Sequence, residues 1–338
     1  MRAIICKSFG PPESLELGEL PPPELRPGDI RIRVLAAGVN FPDTLIIQGK
    51  YQTNPPMPFA PGFEVAGEVI ELGREVTRHR LGDRVMALTR DGYGGFADEA
   101  VADAALAMPL PPGMDDITAA AFFASYGTSY HALVQRGRLC AGETLVVTGA
   151  SGGVGLATIE IGKALGARVI AVASSAEKLQ LAREHGADEL IDYSSEDLKQ
   201  RVKALTGGKG ADLCLDTVGG DAFDAMSRSM NHEGRLLVVG FASGRIPQLP
   251  VNLPLLKGYD VVGVFWGPAA ARDLEAHYAS FRHLSQLYCE GRLRPVVSRT
   301  YPLERAVDAL NDLLSRRVMG RLVVLPQQVN SAMKEANA

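Results

Sequence analysis

Residues 143–155 read ETLVVTGASGGVG, an apolar run that ends in a turn of small residues and opens directly into a second apolar segment at 154–165. A buried strand, a side-chain-poor turn and a helix form the first half of a β-α-β unit, which commits the neighbouring strands to a parallel sheet. Within the turn Ala150, Gly152 and Gly155 take the three places of G-x-G-x-x-G, with alanine in the first. Each place has its own demand: a tight turn, a backbone bare enough for a diphosphate to approach, and a small residue where helix meets strand. The helix start adds unpaired N–H groups and the positive end of its dipole. Ala150, Ser151, Gly152, Gly153 and Val154 are therefore the candidate cradle for the diphosphate of a dinucleotide.

The same letters, Gly149-Ala150-Ser151-Gly152-Gly153, also satisfy the G-x-S-x-G elbow of serine hydrolases, and Asp216 and His232 follow in the chain order such an enzyme needs. His232, however, lies in Asn231-His232-Glu233-Gly234, which reads as a polar turn, and the dinucleotide reading is preferred. A phosphate loop of the nucleotide triphosphatase kind fails because no Gly-Lys-Ser/Thr follows.

The 338 residues correspond to about two domains. Fourteen of the 21 prolines fall within 1–112, where short apolar runs alternate with turn clusters, so the first domain is expected to be rich in strands and loops. Segment 29–37 (DIRIRVLAA) alternates with period two, and 62–72 and 83–88 read similarly. From about 115 the chain turns to alanine-rich helix (117–126, 129–135), then alternates strands at 144–148, 168–173, 213–216 and 236–239 with helical segments. Short, continuously apolar strands of this kind belong to a doubly wound parallel sheet covered on both faces. A strand at 261–266, a helix at 270–290, a helix at 303–315 and a closing strand at 321–325 complete the pattern. The expected division is 121–264 as the dinucleotide domain, 1–120 plus 265–330 as the β-rich domain, and a frayed tail at 327–338.

Lys+Arg at 35 against Asp+Glu at 39 gives a net charge of -4, which invites neither nucleic acid nor an anionic membrane. Cys6, Cys140, Cys214 and Cys289 are isolated, with no C-x-x-C, and suit a reduced, cytoplasmic compartment. No apolar run reaches the length of a membrane span or a signal peptide core.

The end of the second strand of a dinucleotide domain selects the ribose, and an NAD site commonly places Asp or Glu there. Here that end is Ser174-Ser175. A carboxylate repels a 2′-phosphate, whereas Ser175 can donate to one and Lys178, a turn further on, can neutralise it. NADPH is favoured over NADH on this ground, with Tyr193 as a further candidate for the same pocket. Gly240 and Phe241, after the 236–239 strand, repeat the strand-then-glycine theme of Asp216 to Gly220 and are assigned to the cofactor edge.

A proline-rich β domain, a central dinucleotide fold and a return segment, together with Gly38-Val39-Asn40-Phe41-Pro42-Asp43, Pro61-Gly62-Phe63-Glu64, the 149–155 turn and Gly263-Val264-Phe265-Trp266-Gly267, resemble the medium-chain dehydrogenase/reductase superfamily, and within it the zinc-free quinone oxidoreductase branch. The resemblance covers residues 1 to about 326 and implies a GroES-like β domain packed beside a Rossmann domain, with the active site between them. Zinc-dependent members place a Cys ligand early and a Gly-His-Glu later; this chain has Val39-Asn40 and Gly62-Phe63-Glu64, and 89–96 (TRDGYGGF) in place of the structural cysteine cluster. No zinc site can be assembled from recognisable spacing, so no metal is expected.

The chemistry left without a Lewis acid is hydride transfer to an acceptor already electrophilic, a quinone or an α,β-unsaturated carbonyl. The resemblance implies Asn40, Asp43 and Tyr51 beside the nicotinamide, with Tyr51 hydrogen-bonded to the acceptor oxygen, and Thr128 near the nicotinamide amide. Phe265 and Trp266 are expected to end a strand and offer backbone contacts and an aromatic wall, and Arg316 matches a C-terminal basic residue that approaches the cofactor. The alternatives carried are an enoyl-thioester reductase of the same fold and a non-catalytic, crystallin-like NADPH binder. The family implies a homodimer joined by edge strands, for which 261–266 is the candidate.

Overall fold

A computed structural model describes residues 1–327, so the tail expectation for 328–338 lies outside the described residues. The described chain divides into two compact units, the first built from 1–123 and 297–327, the second from 124–296.

The second unit is a six-stranded parallel sheet in the spatial order Glu189–Asp192, Arg168–Ala173, Thr144–Thr148, Ala211–Asp216, Met230–Val238, Asp260–Gly263. Numbered within the unit this is 3-2-1-4-5-6, the doubly wound order of a Rossmann domain. Leu145, Val146, Val147, Leu213, Cys214 and Leu215 on the central strands are wholly buried, which is why these segments read as continuous apolar runs rather than alternating ones.

In the first unit the strand Asp29–Val39 is the hub of a seven-stranded sheet. One edge pairs along its length with Glu64–Leu72. The other edge is shared: Glu99–Asp103 takes residues 29–33, and the closing strand Arg321–Leu325 takes residues 37–39. All three pairings are antiparallel. The β-rich first domain and the parallel second domain both follow the sequence expectation.

Among the differences, the 236–239 strand starts earlier, at Met230, and takes in the Asn231–Gly234 segment that reads as a turn, and four others concern the helices and the domain boundary. The helices expected at 117–126 and 129–135 are one rod, Asp116–Tyr130, continued as a π-helix over His131–Arg136. Gly127 does not break it; a Cβ there would lie 2.5 Å from the Trp266 ring, so glycine serves close packing. The 261–266 strand ends at Gly263, and Trp266 instead begins the helix Trp266–Arg272. The 270–290 helix is interrupted at Asp273, whose carboxylate accepts from the Ala276 N–H at 3.0 Å and starts Leu274–Cys289 afresh. The chain returns to the first unit at Val297 rather than at 265, because Trp266 and Phe281, both buried and 6.0 Å apart, belong to the second unit's own core.

Candidate functional site

At the carboxyl edge of the parallel sheet, Thr148 leads into a turn in which Gly149 has φ +63° and the Gly152 N–H bonds back to the Gly149 carbonyl at 3.1 Å. Gly152 then starts the helix Gly153–Ala164. A Cβ on Gly155 would stand 2.2 Å from the Gly149 oxygen, so the third place must be glycine, whereas a Cβ on Gly152 would meet only that oxygen, at 3.5 Å. The space before the helix N-terminus is thus open, as a diphosphate cradle requires. Ala150 fills the first place without penalty: its side chain is buried and its N–H is held by the Val172 carbonyl at 3.2 Å.

Ser175, Lys178 and Tyr193 gather at the end of the next strand. Ser175 caps the helix Ala176–Glu184 by accepting from the Lys178 N–H at 3.4 Å, leaving its own hydroxyl proton to donate. The Lys178 ammonium is drawn onto Ser174 Oγ at 3.2 Å, and the Tyr193 N–H is bonded to the Ala173 carbonyl. Gly240 and Phe241 follow the Met230–Val238 strand at the same edge, where the Gly240 N–H reaches the Asp216 carbonyl.

In the first unit, Asn40, Glu64 and Arg321 close a buried triangle. Arg321 Nη2 donates to Glu64 Oε2 at 2.6 Å and Nη1 donates to Asn40 Oδ1 at 2.8 Å. Asn40 Nδ2 donates to the same Glu64 oxygen at 3.1 Å and to the Gly38 carbonyl at 3.1 Å. These partners fix the orientation of the amide and spend both of its N–H donors, so Asn40 can offer a ligand only a lone pair of Oδ1. Asp43, on the helix Phe41–Ile46, is fully buried; its Oδ2 accepts from the Asn40 N–H at 2.7 Å, while Oδ1 has no hydrogen-bond partner. Burial pushes the Asp43 carboxyl up to about 7, against the pull of the Asn40 N–H and the Arg321 charge. Burial, and then the Asp43 charge, raise the Tyr51 phenol above its ordinary value, so Tyr51 is a neutral O–H donor.

Other assigned residues are placed differently. The Trp266 ring is buried against Gly127, 6.1 Å from the His277 ring, and is core rather than a wall for a planar acceptor. Phe265, beside it, is exposed. Thr128 is half-buried on the long helix next to Gly127, and Arg316 is exposed with φ +60° just after the helix Ala306–Leu314. The hydrolase alternative fails on geometry: Asp216 ends its strand, whereas His232 lies near the start of the parallel neighbour and is exposed. Glu64 and Arg321 were not assigned from the sequence, although an arginine opening the otherwise apolar RLVVL strand is the signal that marks it.

Residues 26–112 match the alcohol dehydrogenase GroES-like domain family and residues 153–281 the zinc-binding dehydrogenase family. Quinone oxidoreductase-like protein 2 of Bos taurus is 38% identical over 324 residues, covering 96% of this chain and 92% of the relative. The quinone oxidoreductase of Pseudomonas aeruginosa is 37% identical over 327 residues, covering 96% and 99%. The chain belongs to the quinone oxidoreductase family of medium-chain dehydrogenase/reductases. Among solved structures, Escherichia coli quinone oxidoreductase in complex with NADPH superposes with a TM-score of 0.89 at 29% identity, covering 96% of this chain and all of that one.

The second family name raises the question of zinc. Such an ion asks for thiolate, imidazole or free carboxylate ligands. Here the Glu64 carboxylate is paired with Arg321, Asn40 is a neutral amide whose Oδ1 already accepts from Arg321, and among the described residues no group of three or more His, Cys, Asp or Glu side chains lies close enough to hold a metal. The donor set does not suit the ion. The residues at the carboxyl edge do suit NADPH: an open helix N-terminus for the diphosphate, and Ser175 and Lys178 where a 2′-phosphate needs a donor and a cation.

Proposed function

We propose that the protein is a metal-independent reductase that uses NADPH to reduce a quinone or an α,β-unsaturated carbonyl. The observation that supports this reading is the Asn40–Glu64–Arg321 triangle, in which an amide that has used both N–H donors and a guanidinium-paired carboxylate lie in the two segments that resemble the Cys and Gly-His-Glu motifs of zinc-dependent members. Without a Lewis acid the acceptor must carry its own means of spreading negative charge, which conjugation supplies. NADPH, when bound, supplies the hydride. Ala150 to Val154 hold its diphosphate, and Ser175, Lys178 and Tyr193 hold the 2′-phosphate. Gly240, Phe241, Thr128, Arg316 and the backbone at Phe265 complete the cofactor contacts in this reading. Tyr51 donates its phenolic proton toward the oxygen on which charge develops, and Asn40 and Asp43 brace the loop that carries the nicotinamide face.

A homodimer is part of the reading. It is supported by the open edge strand Asp260–Gly263 and by the exposed Val251, Leu255 and Leu256, the two leucines 81% and 77% exposed. Cys140 and Cys289 are exposed and outside any disulfide, which suits a reducing cytoplasm. Among the described residues no helix is long and apolar enough to cross a membrane.

The test is oxidation of NADPH and of NADH by chelator-treated protein with benzoquinone, a polycyclic ortho-quinone, a simple enone and a crotonyl thioester. NADPH-preferring turnover of a quinone or enone is the expected result. Turnover of the thioester alone narrows the acceptor to an enoyl thioester, itself a conjugated carbonyl, and activity that returns only with added zinc overturns the reading.

A further inference from the structure

Asp216 ends the strand Ala211–Asp216 as a wholly buried carboxylate, and among the described residues no Lys, Arg or His forms an ion pair with it. A lone negative charge is an expensive group to keep at the edge where an anionic dinucleotide is proposed to lie. Its hydrogen bonds explain what it does there. Oδ1 accepts from the Thr148 hydroxyl at 2.5 Å, from the Val218 N–H at 3.0 Å and from the Gly219 N–H at 3.2 Å, and Oδ2 accepts from the Gly219 N–H at 3.1 Å. The Asp216 carbonyl accepts from Val239 and Gly240, at 2.9 and 3.3 Å. One residue therefore joins three strand-end turns: the glycine-rich turn after Thr148, its own turn at 217–219, and the turn at 239–240.

The junction is tight. Thr217 Oγ1 donates to the Thr148 carbonyl at 3.2 Å, and a Cβ on Gly149 would come 2.4 Å from that same hydroxyl oxygen. Gly149 in turn sets the position against which Gly155 packs. The placement of the diphosphate cradle thus descends from the Asp216–Thr148 contact through Gly149 to the helix.

We propose that Asp216 is a positioning residue for the dinucleotide, its carboxylate locking the glycine-rich turn to the 217–219 turn at the spacing the cofactor needs. The inference rests on the dinucleotide reading above. What the site requires is an acceptor fan at the Oδ1 position, not the charge itself. An asparagine with its oxygen in that place keeps the Thr148, Val218 and Gly219 bonds and sets its NH2 against Gly219 alone.

The experiment measures Kd for NADPH and NADH, and steady-state kinetics, for the wild-type protein and for Asp216→Ala, Asp216→Asn and Thr148→Val, with circular dichroism and melting on each. In Asp216→Ala both cofactors should bind ~10–100-fold more weakly by the same factor, because the stranded donors act on the turn and not on the ribose. KM for cofactor should rise while kcat at saturating cofactor and KM for the acceptor stay put, and Asp216→Asn should recover binding to within ~3-fold. If Asp216→Ala does not fold, Thr148→Val carries the test, with an expected loss of ~5–10-fold for both cofactors. A folded Asp216→Ala or Thr148→Val protein with wild-type Kd values overturns the proposal while leaving the dinucleotide reading intact. A wild-type protein that binds neither cofactor overturns both.

Discussion

Arg321 and Glu64, separated by 257 residues in the chain, meet at 2.6 Å directly over Gly38, whose missing side chain is what lets them do so. A Cβ on Gly38 would lie 2.7 Å from Arg321 Nη2, 2.8 Å from Glu64 Oε2 and 2.2 Å from the Ala120 carbonyl. The pair is nearly solvent-free, its side chains 10% and 0% exposed, so its worth lies in each charge having the other.

Arg321→Met, which strands the Glu64 carboxylate, should cost about 3–5 kcal/mol of unfolding free energy. Arg321→Lys keeps the charge but cannot reach both Glu64 and Asn40 with a planar fork, and should recover only part of the loss. Denaturant unfolding of the two variants checks this; equal stability of wild type and Arg321→Met would refute it.

Asp43 gives a pH signature. Its folded-state pKa of about 7 lies above the unfolded value of 3.8, so the folded protein holds the proton more tightly. The carboxyl therefore costs stability progressively as pH rises from about 4 to about 7, and by a constant amount above that. Asp43→Asn keeps an acceptor for the Asn40 N–H and cannot ionise. The melting temperature of Asp43→Asn minus that of wild type should grow across this window and then level off. A difference independent of pH would exclude the effect.

Cofactor choice should move with the end of the second strand. Lys178→Ala should raise KM for NADPH by roughly 10–100-fold, the worth of a charged hydrogen bond, and leave NADH unaffected. Ser175→Asp should go further and reverse the preference. Parallel titrations of both cofactors decide it, and equal losses for NADPH and NADH would count against a 2′-phosphate site.

Tyr51→Phe removes the donor assigned to the acceptor oxygen. A fall in kcat of roughly 10²–10³-fold is expected, with the Kd for NADPH unchanged. Unaltered kcat in a folded variant would leave Tyr51 a packing residue.

Leu255→Asp combined with Leu256→Asp places charge on the most exposed apolar surface of the second unit. Light scattering should report a dimer for the wild type and a monomer for the variant. A wild-type monomer would remove the proposed assembly.

The parallel sheet was legible because its strands are buried on both faces: Thr144–Thr148 and Arg168–Ala173 carry no polar interruption, and their bounds are as the sequence suggests. Helix 270–290 was misread because Asp273 reads as one more polar residue on an amphipathic face, when it is a cap. The burial of the Trp266 ring was hidden for a related reason: a partner 139 positions earlier, Gly127, decides that the ring turns inward. The Arg321–Glu64–Asn40 triangle joins three distant segments through hydrogen bonds that have no periodicity and no local spacing to announce them. Asn40 was singled out by resemblance, but the exhaustion of its donors only geometry can reveal.

The shared edge of the Asp29–Val39 strand also bears on synthesis. On that edge residues 37–39 pair only with Arg321–Leu325, so the sheet of the first unit cannot be completed until residues 321–325 have been made. Until then Glu64 has a place in the sheet but no guanidinium. The second unit, continuous over 124–296, has every strand it needs some distance before that point. The unit that holds residues 1–123 is thus finished after the one that follows it, and a chain that has emerged past residue 296 but not to residue 321 carries every strand of the nucleotide fold beside an unfinished β domain.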